Sequence, residues 1–222
     1  MLHSFTNHSC KFVKKIGMSE KAHWENVYET KTPEQVSWTQ VVPSTSLRLI
    51  QETGIAKDAA IMDVGGGDSH LVDHLLEVGY TNITVLDISA KALERAKIRL
   101  GDKAKLVTWI VSDIHEFVQK QHYAVWHDRA VFHFVTNSDA IQNYVHRVAN
   151  HVSGYFIVGT FSENGPLKCS GLEIKQYNET SFQQLFGANF DNMGCFTEDH
   201  VTPFDTVQNF IFCSFKRRYS CC

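Results

Sequence analysis

Short unbroken apolar runs alternate along this chain with stretches whose apolar residues recur at helical spacing. Ala60-Ile-Met-Asp-Val64 runs into consecutive glycines and predicts a buried strand. Ile83-Thr-Val-Leu-Asp87 predicts a second strand, Lys105–Val111 a third, Tyr123-Ala-Val-Trp126 a fourth and Tyr155-Phe-Ile-Val158 a fifth. Between the first two, Leu71, Leu75, Leu76 and Val78 predict a helix over Ser69–Val78, closed by Gly79. Ser89 is placed to cap a helix through Leu100, with Leu93, Ala96 and Leu100 on one face and Gly101 as its stop. Ile141, Tyr144, Val145 and Val148 predict a helix over Ser138–His151. The rhythm then changes. Asn178 caps a short helix to Phe186, and stretches around Met193–Phe196 and Val207–Phe215 predict an antiparallel hairpin.

Strands that alternate with helices imply an α/β fold: a doubly wound, mostly parallel sheet with right-handed crossovers. Ligands in such sheets bind at the carboxyl ends of the strands, near the switch in strand order. At 222 residues the chain fits one domain, since roughly 150 residues per domain is a soft prior. A chain of this size buries roughly 70% of its surface and needs no metal or disulfide staple. Hydrophobic residues at 43% and charged residues at 20% exclude a disordered chain. The net charge of −3 argues against a surface-wide footprint for nucleic acid.

The cysteines are Cys10, Cys169, Cys195, Cys213, Cys221 and Cys222. They form no Cys-x-x-Cys pair and no zinc spacing, so no metal site is expected. Their thin spread implies a reducing compartment, with Cys213 in the core and the others as free thiols. No apolar run approaches the ~18 residues needed to span a bilayer, and the expected location is cytoplasmic. Met1–Gly17 lacks a secretory signal, while Lys11, Lys14 and Lys15 without an acid leave mitochondrial targeting open. Met18-Ser-Glu-Lys reads as a natural start. Residues 1–18 are therefore expected to be a poorly ordered extension, residues 19–217 one domain, and residues 218–222 a solvated tail ending in Cys221-Cys222.

The first strand leads into Asp63-Val64-Gly65-Gly66-Gly67-Asp68-Ser69. Glycines permit a tight turn and close approach of a ligand to the backbone. A dinucleotide fingerprint, G-x-G-x-x-G, fails here because its third glycine falls on His70. Asp68 would also repel a pyrophosphate. Asp63 instead suits a ligand carrying an ammonium or sulfonium. Asp87 ends the second strand, 20 residues after Gly67 (87 − 67 = 20), where an acid accepts from ribose hydroxyls. Asp113 follows the third strand, placed to accept from an adenine amino group between Ile88 and Ile114. The fourth strand exits into Trp126-His127-Asp128-Arg129.

At these residues the chain resembles the class I S-adenosylmethionine-dependent methyltransferases, whose first motif, Asp/Glu-x-Gly-x-Gly-x-Gly, is matched except that Ser69 replaces the last glycine. It is similar, more narrowly, to small methyltransferase-domain proteins mostly of unassigned substrate. That likeness rests on His23-Trp24-Glu25-x-x-Tyr28, Ser37-Trp38, Trp126 to Phe134, and Lys168-Cys169-Ser170-Gly171-Leu172. The resemblance covers roughly Trp24 to Arg217. It implies a seven-stranded Rossmann-like sheet whose last strand is antiparallel, and S-adenosyl-L-methionine as cofactor. It also implies that Asp63 and Gly65, Gly66 and Gly67 hold the methionine part, that Asp87 takes the ribose and Asp113 the adenine, and that Asp128 faces the transferred methyl.

The reaction expected is in-line methyl transfer to a small molecule or a protein side chain. Trp38 and Tyr28 are candidates for an aromatic wall over the cofactor. Asp128 and His133 are the candidate proton acceptors. Arg129 is read either as a carboxylate ligand for the substrate or as the partner of a sheet-end acid. The long segment Ser162–Gln176 is placed to line the substrate side, with Cys169 a weaker idea for a nucleophile. A non-catalytic cofactor-binding regulatory module and an NAD(P)-dependent oxidoreductase are the alternatives.

Overall fold

The apolar runs form the middle of one seven-stranded sheet in the computed structural model, which describes residues 10–118 and 121–218, with residues 10–19 described by backbone alone. The strands are β1 (Ile61–Val64), β2 (Ile83–Asp87), β3 (Val107–Val111), β4 (Tyr123–Arg129), β5 (Val152–Phe161), β6 (Phe190–Val201) and β7 (Val207–Arg217). Their spatial order is β3-β2-β1-β4-β5-β7-β6. β1 to β5 are parallel, and β7 runs antiparallel to both β5 and β6. The sheet is thus mostly parallel with its last strand reversed. Strand order reverses between β1 and β4, which opens a crevice at their carboxyl ends.

The helices are α1 (Cys10–Thr30), α2 (Ser44–Glu52), α3 (Leu71–Glu77), α4 (Ala90–Leu100), α5 (Ser138–His151) and α6 (Glu179–Phe186). Strand residues alternate between the two faces of the sheet and so feed two cores. Met62, Val64, Trp126 and Phe156 pack with Tyr144, Val148, Phe182 and Phe186 of α5 and α6. Ile61, Val85 and Val125 pack on the other face with Leu49, Leu71, Leu75 and Leu93 of α2, α3 and α4. The local signals act as read: Ser89 accepts from the Ala92 N–H at 3.2 Å, Asn178 accepts from the Ser181 N–H at 2.8 Å, and Gly101 stops α4 at φ 57°.

Several elements depart from the expected pattern. α1 begins at Cys10 and passes through the boundary expected at residue 18. Residues 1–9 and 219–222, and with them Cys221-Cys222, lie outside the described residues. Gly101–Leu106 is a 3₁₀ turn, so β3 starts at Val107 and not at Lys105. β4 runs on from Trp126 to Arg129, a change that matters for the site. Cys195 and Cys213 form a disulfide, which corrects the expectation of free thiols. Strand register brings them together: they stand opposite each other in the β6–β7 pair, beyond an irregularity at Asn192/Gly194. Among the described residues no helix is long and apolar enough to cross a membrane.

Candidate active site at the carboxyl edge of the sheet

β1 delivers the chain into a turn that only glycine fits. Gly65 has φ 64° and Gly67 φ 51°, both left-handed. A Cβ on Gly65 would stand 1.9 Å from Val131 Cγ2, and one on Gly66 would stand 2.6 Å from Asp63 Oδ2. Gly67 lies under the Tyr28 hydroxyl, which a Cβ would approach to 2.6 Å.

Asp63, Asp68 and Asp87, all buried, surround this turn. Asp68 meets Arg95 at 3.4 Å. Asp87 accepts from the Ser89 N–H at 2.8 Å and from the Gly67 N–H. Burial nonetheless raises its pKa to about 7, and the neighbouring Asp68 and Asp63 charges push the same way. The turn is therefore a glycine cradle beside an excess of buried negative charge. Those features fit a cationic ligand that carries hydroxyls, and they oppose a polyphosphate.

Because β4 continues to Arg129, its side chains alternate beyond the strand end expected at Trp126. Trp126 and Asp128 face α5; His127 and Arg129 face the crevice. Asp128 Oδ1 accepts from the Val131 and Phe132 N–H groups, each at 3.1 Å, and Oδ2 accepts from the Tyr144 hydroxyl at 2.5 Å. Burial raises its pKa to about 6. It is fully enclosed and does not line the crevice, so the structure does not place it toward a transferred methyl. His133 sits on the turn Phe132–Phe134, fully buried against Phe134 and Phe161. Its Nδ1 accepts from the Phe161 N–H at 3.4 Å, and burial together with the Arg129 charge lowers its pKa to about 3. Neither residue is positioned to take a proton from a ligand in the crevice.

A different polar chain faces the crevice. His127 stands beside Asp63 in the β1–β4 register, with its Nδ1 2.7 Å from Asp63 Oδ1 and its Nε2 2.9 Å from Ser46 Oγ. A carboxylate only accepts, so the His127 Nδ1–H donates to Asp63, and Nε2 shares a hydrogen bond with the Ser46 hydroxyl, which can donate or accept. His127 was legible as a residue but not as part of the site, because its side depends on where β4 ends. Ser46, on α2, left no sequence signal.

The crevice opens into a cavity of about 1010 Å³. At one end lie Asp113, Ile88 and Ile114; Asp113 Oδ1 accepts from the His115 N–H at 2.8 Å. At the other end Trp24, Trp38 and Phe134 form an aromatic wall, with Trp24 edge-on to both others at 5.7 and 5.2 Å. α1 roofs the cavity with Glu20, Trp24 and Tyr28, residues on one helical face. It is pinned there by Glu25, which accepts from the Ala90 and Lys91 N–H groups at the start of α4 at 2.9 and 3.2 Å. Trp38 and Tyr28, the residues expected to form an aromatic wall, both line the cavity, and Trp24 lies beside them.

Cys169 also lines the cavity, on a two-residue strand within the segment Ser162–Gln176. Burial raises its thiol to about 12. A nucleophile needs thiolate. In the native protein at pH 7.5, Cys169 should react with iodoacetamide at least about a hundredfold more slowly than in urea, as read by peptide mass mapping. Comparable rates would show an accessible, activated thiol.

A family model described as "Methyltransferase domain" matches residues 55–205. No curated protein matches significantly in sequence. Among solved structures, the chain is similar to a protein studied in the conversion of a disulfide bond into a thioacetal group during echinomycin biosynthesis (16% identity, TM-score 0.70, covering 90% of this chain and 94% of that one). It is similar to the Burkholderia thailandensis 1,6-didemethyltoxoflavin-N1-methyltransferase, solved with bound 1,6-didemethyltoxoflavin and S-adenosylhomocysteine (15%, 0.66, 98% and 94%). It is also similar to the N-methyltransferase NodS from Bradyrhizobium japonicum WM9 in complex with S-adenosylhomocysteine (12%, 0.63, 92% and 98%). At these identities the structural likeness is one of fold. With the family match spanning most of its length, on a Rossmann-like sheet with one reversed strand, the chain belongs to the methyltransferase-domain family.

Proposed function

We propose that the protein transfers a methyl group from S-adenosylmethionine to a small molecule enclosed in the cavity under α1. The observation that carries this reading is the cavity itself. Its volume of about 1010 Å³ lies at the top of the ~300–1,000 Å³ usual for ligand sites, and it joins the acid-lined glycine turn to an aromatic wall. A roofed, aromatic-walled site suits a small acceptor better than a side chain presented on a folded protein.

Asp63 and the Gly65–Gly67 turn hold the methionine part of the cofactor, Asp87 its ribose hydroxyls and Asp113 its adenine amino group, with Ile88 and Ile114 flanking the ring. Bound there, S-adenosylmethionine would supply an electrophilic methyl group on a cationic sulfur. Trp24, Trp38 and Phe134 exclude water and orient the acceptor, which must hold its nucleophile roughly 3–3.5 Å from the methyl, in line with the breaking bond. A nitrogen or oxygen nucleophile also sheds a proton. The Ser46 hydroxyl takes it while passing its own proton to His127 Nε2, and the Asp63 carboxylate stabilises the imidazolium that results.

Isothermal titration with S-adenosylhomocysteine tests the reading, followed by incubation of fractionated small-molecule extract with methyl-labelled cofactor. Binding is expected, together with label in the small-molecule fraction. His127→Gln should lower turnover by about 10²–10⁴ while leaving S-adenosylhomocysteine affinity within a few fold. Label confined to protein would overturn the assignment to small molecules.

A further inference from the structure

Arg129 lies at the carboxyl end of β4 and lines the cavity beside the aromatic wall. Nη1 donates to the Trp38 carbonyl at 3.0 Å, and the guanidinium stacks over the Phe210 ring at 4.9 Å. Its Nε is buried and has no hydrogen-bond partner. Among the described residues no carboxylate comes within 4.0 Å of it. The acids nearest in effect are committed elsewhere: Glu198 accepts from Thr45 Oγ1 at 2.5 Å, and Asp63 pairs with His127. Burial lowers the guanidinium to about 10, so it remains a cation at neutral pH. A guanidinium with no carboxylate in contact that spends one of its five N–H donors, on Nη1, keeps the remaining terminal N–H groups of Nη1 and Nη2 for an oxyanion.

The sequence left Arg129 between a structural partner for a sheet-end acid and a ligand for a substrate carboxylate. The structure favours the second: Glu198 and Asp63 act on the cation only through space, none of its N–H groups is in contact with a carboxylate, and the side chain lines the cavity. We propose that Arg129 binds the carboxylate of the methyl acceptor, so that the acceptor is a small carboxylic acid with a flat apolar body seated against Trp24, Trp38 and Phe134. This rests on the methyltransferase reading above. The same carboxylate chemistry exists in the methionine part of the cofactor, and the test separates the two sources.

Protein saturated with S-adenosylhomocysteine is titrated with benzoate, phenylacetate and 3-phenylpropionate, each paired with its primary amide. At least one acid is expected to bind about tenfold or more tightly than its amide, as a charged, forked contact requires. Arg129→Gln should erase that preference and Arg129→Lys should reduce it. S-adenosylhomocysteine affinity in both variants should stay within about twofold. Equal or absent binding of acids and amides overturns the proposal. A tenfold loss of S-adenosylhomocysteine affinity in Arg129→Gln also overturns it, by assigning the arginine to the cofactor's carboxylate. Failure of the parent protein to bind S-adenosylhomocysteine would instead reject the methyltransferase reading beneath it.

Discussion

Gly65→Ala should abolish measurable S-adenosylhomocysteine binding and lower the melting temperature by about 5–15 °C. Two costs combine at this position. The backbone at φ 64° is left-handed, which charges an alanine about 1–2 kcal/mol. The new methyl would also stand 1.9 Å from Val131 Cγ2, and a β-branched side chain has little rotamer freedom with which to retreat. Overpacking of that kind costs about 1–3 kcal/mol. Relief of the clash moves the turn or Val131, and both border the cavity. Gly54→Ala is the internal control: its φ is 67°, and nothing lies within 4 Å of the added Cβ. It should show the backbone cost alone, with unchanged affinity. Adding Val131→Ala to Gly65→Ala should recover part of the stability. Calorimetry of the four proteins decides the matter, and a Gly65→Ala protein that melts and binds like its parent would show that the turn is not built as described.

The two cores were legible because they follow from periodicity. β2 and α5 begin and end where their apolar spacing predicts, and Ser89 and Asn178 cap as their chemistry requires. The acids that flank the glycine turn were legible for a related reason: the ends of parallel strands converge, so residues at strand ends share a site even when they are distant in sequence. What failed was decided by register and by the length of one strand. Trp126 looks like the end of β4 because polar residues follow it. Those residues are buried as an alternating pair of faces, and three more residues of strand exchange the roles of Asp128 and His127. The Asp128 carboxylate then serves the Val131 and Phe132 N–H groups and Tyr144 under α5, while His127 takes the place facing the cavity. The disulfide is hidden in the same way, since its partners meet only in the β6–β7 register. Ser46 is different: it is a polar residue on an amphipathic helix, and only the packing of α2 against β4 gives it a partner.

Asp87→Asn should move stability and cofactor affinity in opposite directions, each in a defined range of pH. Burial raises the folded-state pKa of Asp87 from its ordinary 3.8 to about 7. The folded protein therefore holds this proton more tightly than the unfolded chain does. The favourable contribution is present in full below about pH 4, declines as pH rises, and is gone once pH has passed through 7. Above that point the buried carboxylate costs the folded state roughly 4 kcal/mol as an upper figure. Asparagine has nothing to ionise. The variant should melt close to the parent near pH 4, gain on it between pH 4 and 7, and stay about 5–15 °C ahead from pH 7 to 9. Asp128, whose pKa is raised to about 6, is common to both proteins and cancels in the difference. S-adenosylhomocysteine binding should run the other way. Ribose hydroxyls donate to an ionised carboxylate about 1.5–3 kcal/mol more favourably than no partner allows, so the variant should bind about ten- to a hundredfold more weakly at pH 8. In the parent, affinity should strengthen as pH rises through 7, because the free site must first give up its proton; in the variant that dependence should vanish. Melting curves and titrations at pH 5, 6, 7, 8 and 9 measure both trends. A stability difference that does not vary with pH would mean that Asp87 is ionised throughout in the free protein. Unchanged affinity would remove the ribose from its assigned partner. The outcome expected, a more stable protein that binds its cofactor less well, is the signature of a buried acid kept at the end of β2 for its ligand and at the expense of the fold.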